Sequence, residues 1–233
     1  MDDNREIKIE NKAYKSFDNF WYYHKWHVIV ALFVIIAIVI CTAQACQREK
    51  EDIKILYAGP SYIDTQSYNE LNNTLSSLLP SDFDGDGKKN AGLVKYQIMS
   101  QEEIEKIESG DEQVRVDRGQ NTSNMSAYTS YLMTGDVSIC FVSEYLYKTL
   151  KDNDRLLPLS EIFDEMPKGA VDGCGIRLSS TDLYKYESSV RVMSGDTVIC
   201  LLRQTVVGES SNNEKYANAK ETFKAIVGFK VVE

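Results

Sequence analysis

Tyr131-Leu-Met-Thr-Gly-Asp-Val-Ser-Ile-Cys-Phe-Val142 carries a helix end, a turn and a buried strand in one short run. Gly135-Asp136 is a turn pair, and the residues after it are apolar and favour extended backbone. The pattern predicts a helix over 123–134, a strand over Val137–Val142 and a further helix over Ser143–Lys151. Helix, strand and helix in succession build a layered α/β sheet.

Upstream, Ile53-Lys-Ile-Leu-Tyr-Ala58 predicts a strand that Gly59-Pro60 ends. Ser67–Leu79 predicts a helix, with Tyr68, Leu71, Leu75, Leu78 and Leu79 at helical spacing and Pro80 as its stop. Leu93–Met99 alternates like a strand, and Ser100-Gln-Glu-Glu103 is a capping box that opens a helix to about Ser109. Gly110–Asn121 reads as polar loop. Downstream, Arg155–Phe163 leads into a short helix, Gly175–Ser180 and Asp196–Arg203 read as strands, and Ser210–Val227 as a closing helix. The alternation predicts an α/β domain over 53–233, one lobe with a mainly parallel sheet flanked by helices. Met133-Thr-Gly-Asp-Val-Ser-Ile-Cys140 is echoed by Met193-Ser-Gly-Asp-Thr-Val-Ile-Cys200, which we read as a Gly-Asp turn feeding a core strand twice.

The N-terminus differs in kind. No Lys, Arg, Asp or Glu occurs from Trp26 to Gln47. Roughly 18–20 apolar helical residues cover the hydrocarbon of a bilayer, so residues 27–46 predict one transmembrane helix. The aromatic run Phe17–Trp26 before it suits the headgroup level, where a ring is half buried and its polar tip stays wet. Residues 1–26 then form an N-terminal tail and 47–52 a linker. Ala43-Gln44-Ala45 resembles a signal-peptidase site, but a 26-residue lead that is not simply basic favours a retained anchor. Lys12, Lys15 and Lys25 on one side balance Arg48, Lys50 and Lys54 on the other, so flanking charge leaves orientation open.

Charge follows the same division. The first fifty residues hold 7 Lys+Arg and 6 Asp+Glu, and the remaining 183 hold 19 and 29, a net of -10. Phosphate backbones repel such a domain, which argues against nucleic-acid binding. Both histidines, His24 and His27, lie in the N-terminal segment, so the domain lacks the base of Ser-His or Cys-His catalysis and any His-ligated metal. Cys140, Cys174 and Cys200 form no C-x-x-C pair. Cys140 and Cys200 read as buried strand thiols, with a bridge between them open if their strands are neighbours. Paired carboxylates of the glycosidase kind stay open, with no pair singled out.

One motif has explicit ligand chemistry. Ser81-Asp-Phe-Asp-Gly-Asp-Gly-Lys88 places Asp82, Asp84 and Asp86 at alternate positions before Gly87, the opening of a calcium loop. The twelfth position is Leu93, so the closing acid is missing and the candidate calcium site is incomplete. The same run reads equally as an acidic Asx-turn loop.

The Tyr131–Val142 run, Ser143-Glu-Tyr-Leu146 and Leu156-Leu-Pro-Leu-Ser-Glu-Ile-Phe163 resemble a segment of extracellular solute-binding proteins of bacterial ABC importers. With Ile53–Ala58, the resemblance covers about residues 53 to 165. It implies one lobe of the type-2 periplasmic-binding fold, an extracytoplasmic domain, a cytoplasmic N-terminus and a single-pass protein of the cell membrane. Such proteins bind sugar or peptide between two lobes, whereas this chain has length for one, and no ligand residue is carried over. The Phe17–His27 stretch and its anchor resemble small Gram-positive membrane proteins. Three functions follow as expectations. The first is a non-catalytic interaction module, partnered by a membrane transporter or another surface protein. The second is a solute binder in which Tyr57, Tyr62 or Tyr128 stacks on sugar. The third, least favoured, is a carboxylate-based hydrolase.

Overall fold

A computed structural model describes residues 12–46, 51–110 and 115–230. The chain divides into two compact units, Met1–Glu49 and Lys50–Glu233. The tail residues 1–11 and most of the linker lie outside the described residues.

Among its described residues the first unit holds one helix, α1, Lys12–Cys46. The aromatic run is therefore helical and continuous with the apolar run. Phe20–Thr42, 23 residues, is long and apolar enough to cross a membrane, and none of it is buried within the protein. The Thr42 hydroxyl donates to the Ile38 carbonyl at 2.9 Å, which hides its polar group along the helix.

The second unit is an α/β domain around a five-stranded sheet. Its strands are β1 Ile53–Gly59, β2 Ala91–Gln97, β3 Ile139–Val142, β4 Gly175–Arg177 and β5 Val198–Leu201. Its helices are α2 Thr65–Ser77, α3 Gln101–Gly110, α4 Arg118–Thr134, α5 Glu144–Asp152, α6 Asp182–Tyr186 and α7 Asn213–Val227. The sheet order is β2-β1-β3-β5-β4. Alternation along β1 sends Ile53, Ile55 and Tyr57 into a core shared with α2, α6 and α7. Leu56 and Ala58 enter a second core, on the other sheet face, shared with α4 and α5.

The sheet is mixed, which corrects the expectation of a mainly parallel one. β1 pairs parallel with β2 and β3, but β5 runs antiparallel to both β3 and β4. The reason is the length of the connection. Between β4 and β5 the only α-helix is the five-residue α6, rising about 7–8 Å, too little to carry the chain back to the start of the sheet. The chain turns at the same end and β5 runs home between its neighbours. The nine-residue α5 does return the chain, so β4 keeps the direction of β3.

Element limits shift in several places. α4 starts at Arg118, inside the expected loop, because Asp117 caps the Gln120 N–H at 2.9 Å. The expected strand over 175–180 stops at Arg177, where a 3₁₀ turn begins. β2 begins at Ala91, and α6 was not legible as a separate helix.

Edge strand β2 is protected by side chains at i, i+4 and i+8 of α2. The Tyr68 hydroxyl donates to the Leu93 carbonyl at 3.0 Å, Asn72 accepts from the Leu93 N–H at 3.2 Å, and Ser76 accepts from the Ala91 N–H at 2.9 Å. Backbone groups that would recruit another strand are thereby occupied. The turn that ends α4 needs glycine, because Gly135 has φ +71° and a Cβ there would sit 2.2 Å from the Val207 carbonyl oxygen.

The echoed runs meet in space. Cys140 lies opposite Cys200 across β3 and β5, both buried and both free thiols. Burial pushes the Cys140 thiol up to about 12 and raises that of Cys200.

Candidate functional site

Four chain turns converge where β1, β2 and β3 end and β5 begins. Pro60 breaks the chain after β1. Beyond β2, Ser100 and Glu103 close the expected capping box, the Glu103 carboxylate accepting from the Ser100 N–H at 2.7 Å and the Ser100 hydroxyl from the Glu103 N–H at 3.2 Å. Ser143 follows β3 directly and caps α5, accepting from the Leu146 N–H at 3.5 Å. Ser194–Thr197 forms the turn into β5, with the Thr197 N–H on the Ser194 carbonyl at 3.0 Å.

Between these turns lies a cleft of about 680 Å³. Its lining includes Pro60, Ser100, Glu102, Lys106, Tyr145 and Ser194, with Ser143 and Thr197 as buried members. α/β sheets bind ligands at this position, outside the carboxyl ends of co-directed strands. The volume lies within the range of about 300–1,000 Å³ typical of small-molecule sites.

The charges at the cleft are largely internally matched. Glu144 pairs with Lys148 at 3.0 Å and Arg177 at 3.5 Å, and Arg177 also reaches Asp196 at 2.9 Å. Lys148 first, then Arg177, holds the Glu144 carboxyl below its ordinary value. Glu103 is committed to the capping box. Lys106 and Glu102 are exposed on the α3 side.

The tyrosines named from sequence fall elsewhere. Tyr57 and Tyr128 are core residues, while Tyr62 is exposed and does not line the cleft. The aromatic ring at the cleft is Tyr145, 48% exposed, which the sequence reading passed over. Its signal was its place three residues beyond the end of β3, at the start of a helix.

The acidic loop sits at the opposite end of the sheet, where β1 and β2 begin. Asp52, just before β1, brings a carboxylate to Asp82 and Asp84, one oxygen of each lying within 4.8 Å of the others. Asp86 does not join this group, and Leu93 is a buried β2 residue. Three carboxylates in this range form a donor set for a hard cation. They also hold the backbone. Asp52 accepts from the N–H groups of Phe83, Asp84 and Asn90 at 2.7, 3.0 and 2.8 Å, and Asp82 from Gly85 and Gly87, both at 2.7 Å. The Gly87 N–H foremost keeps the Asp82 carboxyl below its ordinary value. Asp84 and Asp86 each accept from the N–H two residues on, at 3.0 and 2.8 Å, the bonds of Asx turns.

No family model, curated protein or solved structure matches this chain.

Proposed function

We propose that this chain is a non-catalytic, single-pass binding module of the cell membrane, with its N-terminus cytoplasmic and its α/β domain extracytoplasmic. The cleft at the ends of β1, β2 and β3 is its binding site. That cleft carries the reading, because it is solute-sized and lies where sheets of this class seat ligands. The resemblance of residues 53–165 to one lobe of solute-binding proteins supports the same location and a membrane transporter or another surface protein as partner. The 23-residue apolar helix supports the anchor.

A hydrolase is less well supported. A general acid needs a raised carboxyl pKa, whereas Glu144 is held low by its cations. The domain has no histidine to act as base.

The test is a thermal-shift screen of the detergent-solubilised full chain against sugars, peptides and small organic acids. A ligand of the native state raises the melting temperature. A solute that does so without being turned over supports the proposal, and measured turnover of a bound solute overturns it. Orientation is read separately, by labelling a Tyr145→Cys variant on intact cells with a membrane-impermeant maleimide. Labelling before lysis is expected, and labelling only after lysis contradicts the placement.

A further inference from the structure

Ser143 and Thr197 follow the last register pair of β3 and β5, Val142 opposite Val198, and so flank each other at the end of the two strands. Both are buried and both line the cleft. Thr197 is 1% exposed and lines the cleft, and its hydroxyl, which no described residue bonds, is not among the fully buried unpartnered atoms. A hydroxyl left unbonded by the protein on a cleft wall is normally satisfied by solvent or a ligand. Beside it begins α5, nine residues long. Its capping bond takes the Leu146 N–H, and the N–H groups of Glu144 and Tyr145 receive no partner from the described chain. These donors carry the positive end of the helix dipole. The acids nearby, Glu144 and Asp196, are offset by Lys148 and Arg177.

We infer that this corner of the cleft seats the carboxylate of a small organic acid. Thr197 and the first two N–H groups of α5 donate to its oxygens. The inference rests on the cleft being the binding site and adds the class of ligand. Two backbone N–H donors at a helix N-terminus with a hydroxyl beside them favour an anionic acceptor over a neutral hydroxyl.

The test uses the full chain in detergent micelles, titrated by calorimetry with glutarate, glutaramide, maltose and the tripeptide Gly-Gly-Ala with a free or amidated C-terminus. Glutarate is expected to bind and glutaramide not. The peptide pair separates the two sources of a carboxylate, and binding of the free-acid peptide without glutarate overturns the small-acid assignment. Thr197→Val keeps shape and removes one donor, so affinity for glutarate should fall about tenfold. Glu144→Pro removes one N–H at a helix position that accepts proline, following a residue already extended at φ -60°, ψ 156°. It should weaken binding similarly, while Glu144→Gln, which keeps the N–H, should not. Equal binding of glutarate and glutaramide overturns the inference, as does unchanged affinity in both Thr197→Val and Glu144→Pro. Binding of maltose alone, competing at the cleft, overturns the carboxylate but leaves the cleft as the site. Absence of binding by every probe at millimolar concentration overturns the inference.

Discussion

Tyr128 sits in the core between α4 and the sheet with its hydroxyl buried and unpartnered among the described residues. Burial raises its pKa well above the ordinary phenol value, with the neighbouring Cys140 and Cys200 adding to it. Tyr128→Phe removes that unsatisfied group and nothing else, so it should stabilise the domain by about 1 kcal/mol, read as a higher urea midpoint. Asp172 presents the opposite case. It accepts from the Tyr147 hydroxyl, from Lys151 at 2.6 Å and from the Cys174 N–H at 2.8 Å, tying the 172–174 segment to α5. Burial alone would raise its pKa, but Lys151, Tyr147 and the Cys174 N–H together bring it below the ordinary value. Its charged form therefore stabilises the fold above the unfolded pKa of about 4, and that contribution is lost as pH falls through the lower folded value. Asp172→Asn should cost about 1–2 kcal/mol at neutral pH, with the gap to wild type closing in acid, as urea melts across pH would record. The sequence singled out Tyr128 only as a candidate for stacking on sugar, and Asp172 not at all. Tyr128 was legible as an aromatic on a helix, but its orphaned hydroxyl depends on what α4 packs against. Asp172 draws its partners from residues up to 25 positions away.

Among the elements, the open edge of β2 depends on α2 for its cover. Asn72→Ala frees the Leu93 N–H and removes the middle of the three side-chain contacts. The expected outcome is a loss of about 1 kcal/mol and earlier light scattering on heating, because an uncapped edge pairs with other chains. Unchanged scattering would assign the protection to Tyr68 and Ser76 alone. Local periodicity made most helices and strands legible, since apolar residues at spacing 2 or 3.6 report directly which face is buried. The direction of β5 was not legible in that way. It follows from the reach of the 178–197 connection, where short helical turns break up the apolar pattern. The same limit hid Asp52 as the neighbour of Asp82 and Asp84, because a strand register and not a loop spacing brings them together. In the cleft, Ser100 and Glu103 were visible as a capping box and Ser143 as a helix start, but their convergence depends on the strand order.

At the scale of the whole molecule, the chain divides into a unit with an apolar helix long enough to cross a membrane and an acidic domain with its own two-sided core. The central claim is that the module binds at the ends of β1, β2 and β3. Hydrogen exchange on the full chain, with and without the solute that most raises its melting temperature, tests this most directly. The account predicts slowed exchange concentrated in residues 100–106, 143–148 and 194–197. Protection centred instead on the 82–90 loop or the exposed face of α7, with those three segments unchanged, would contradict it.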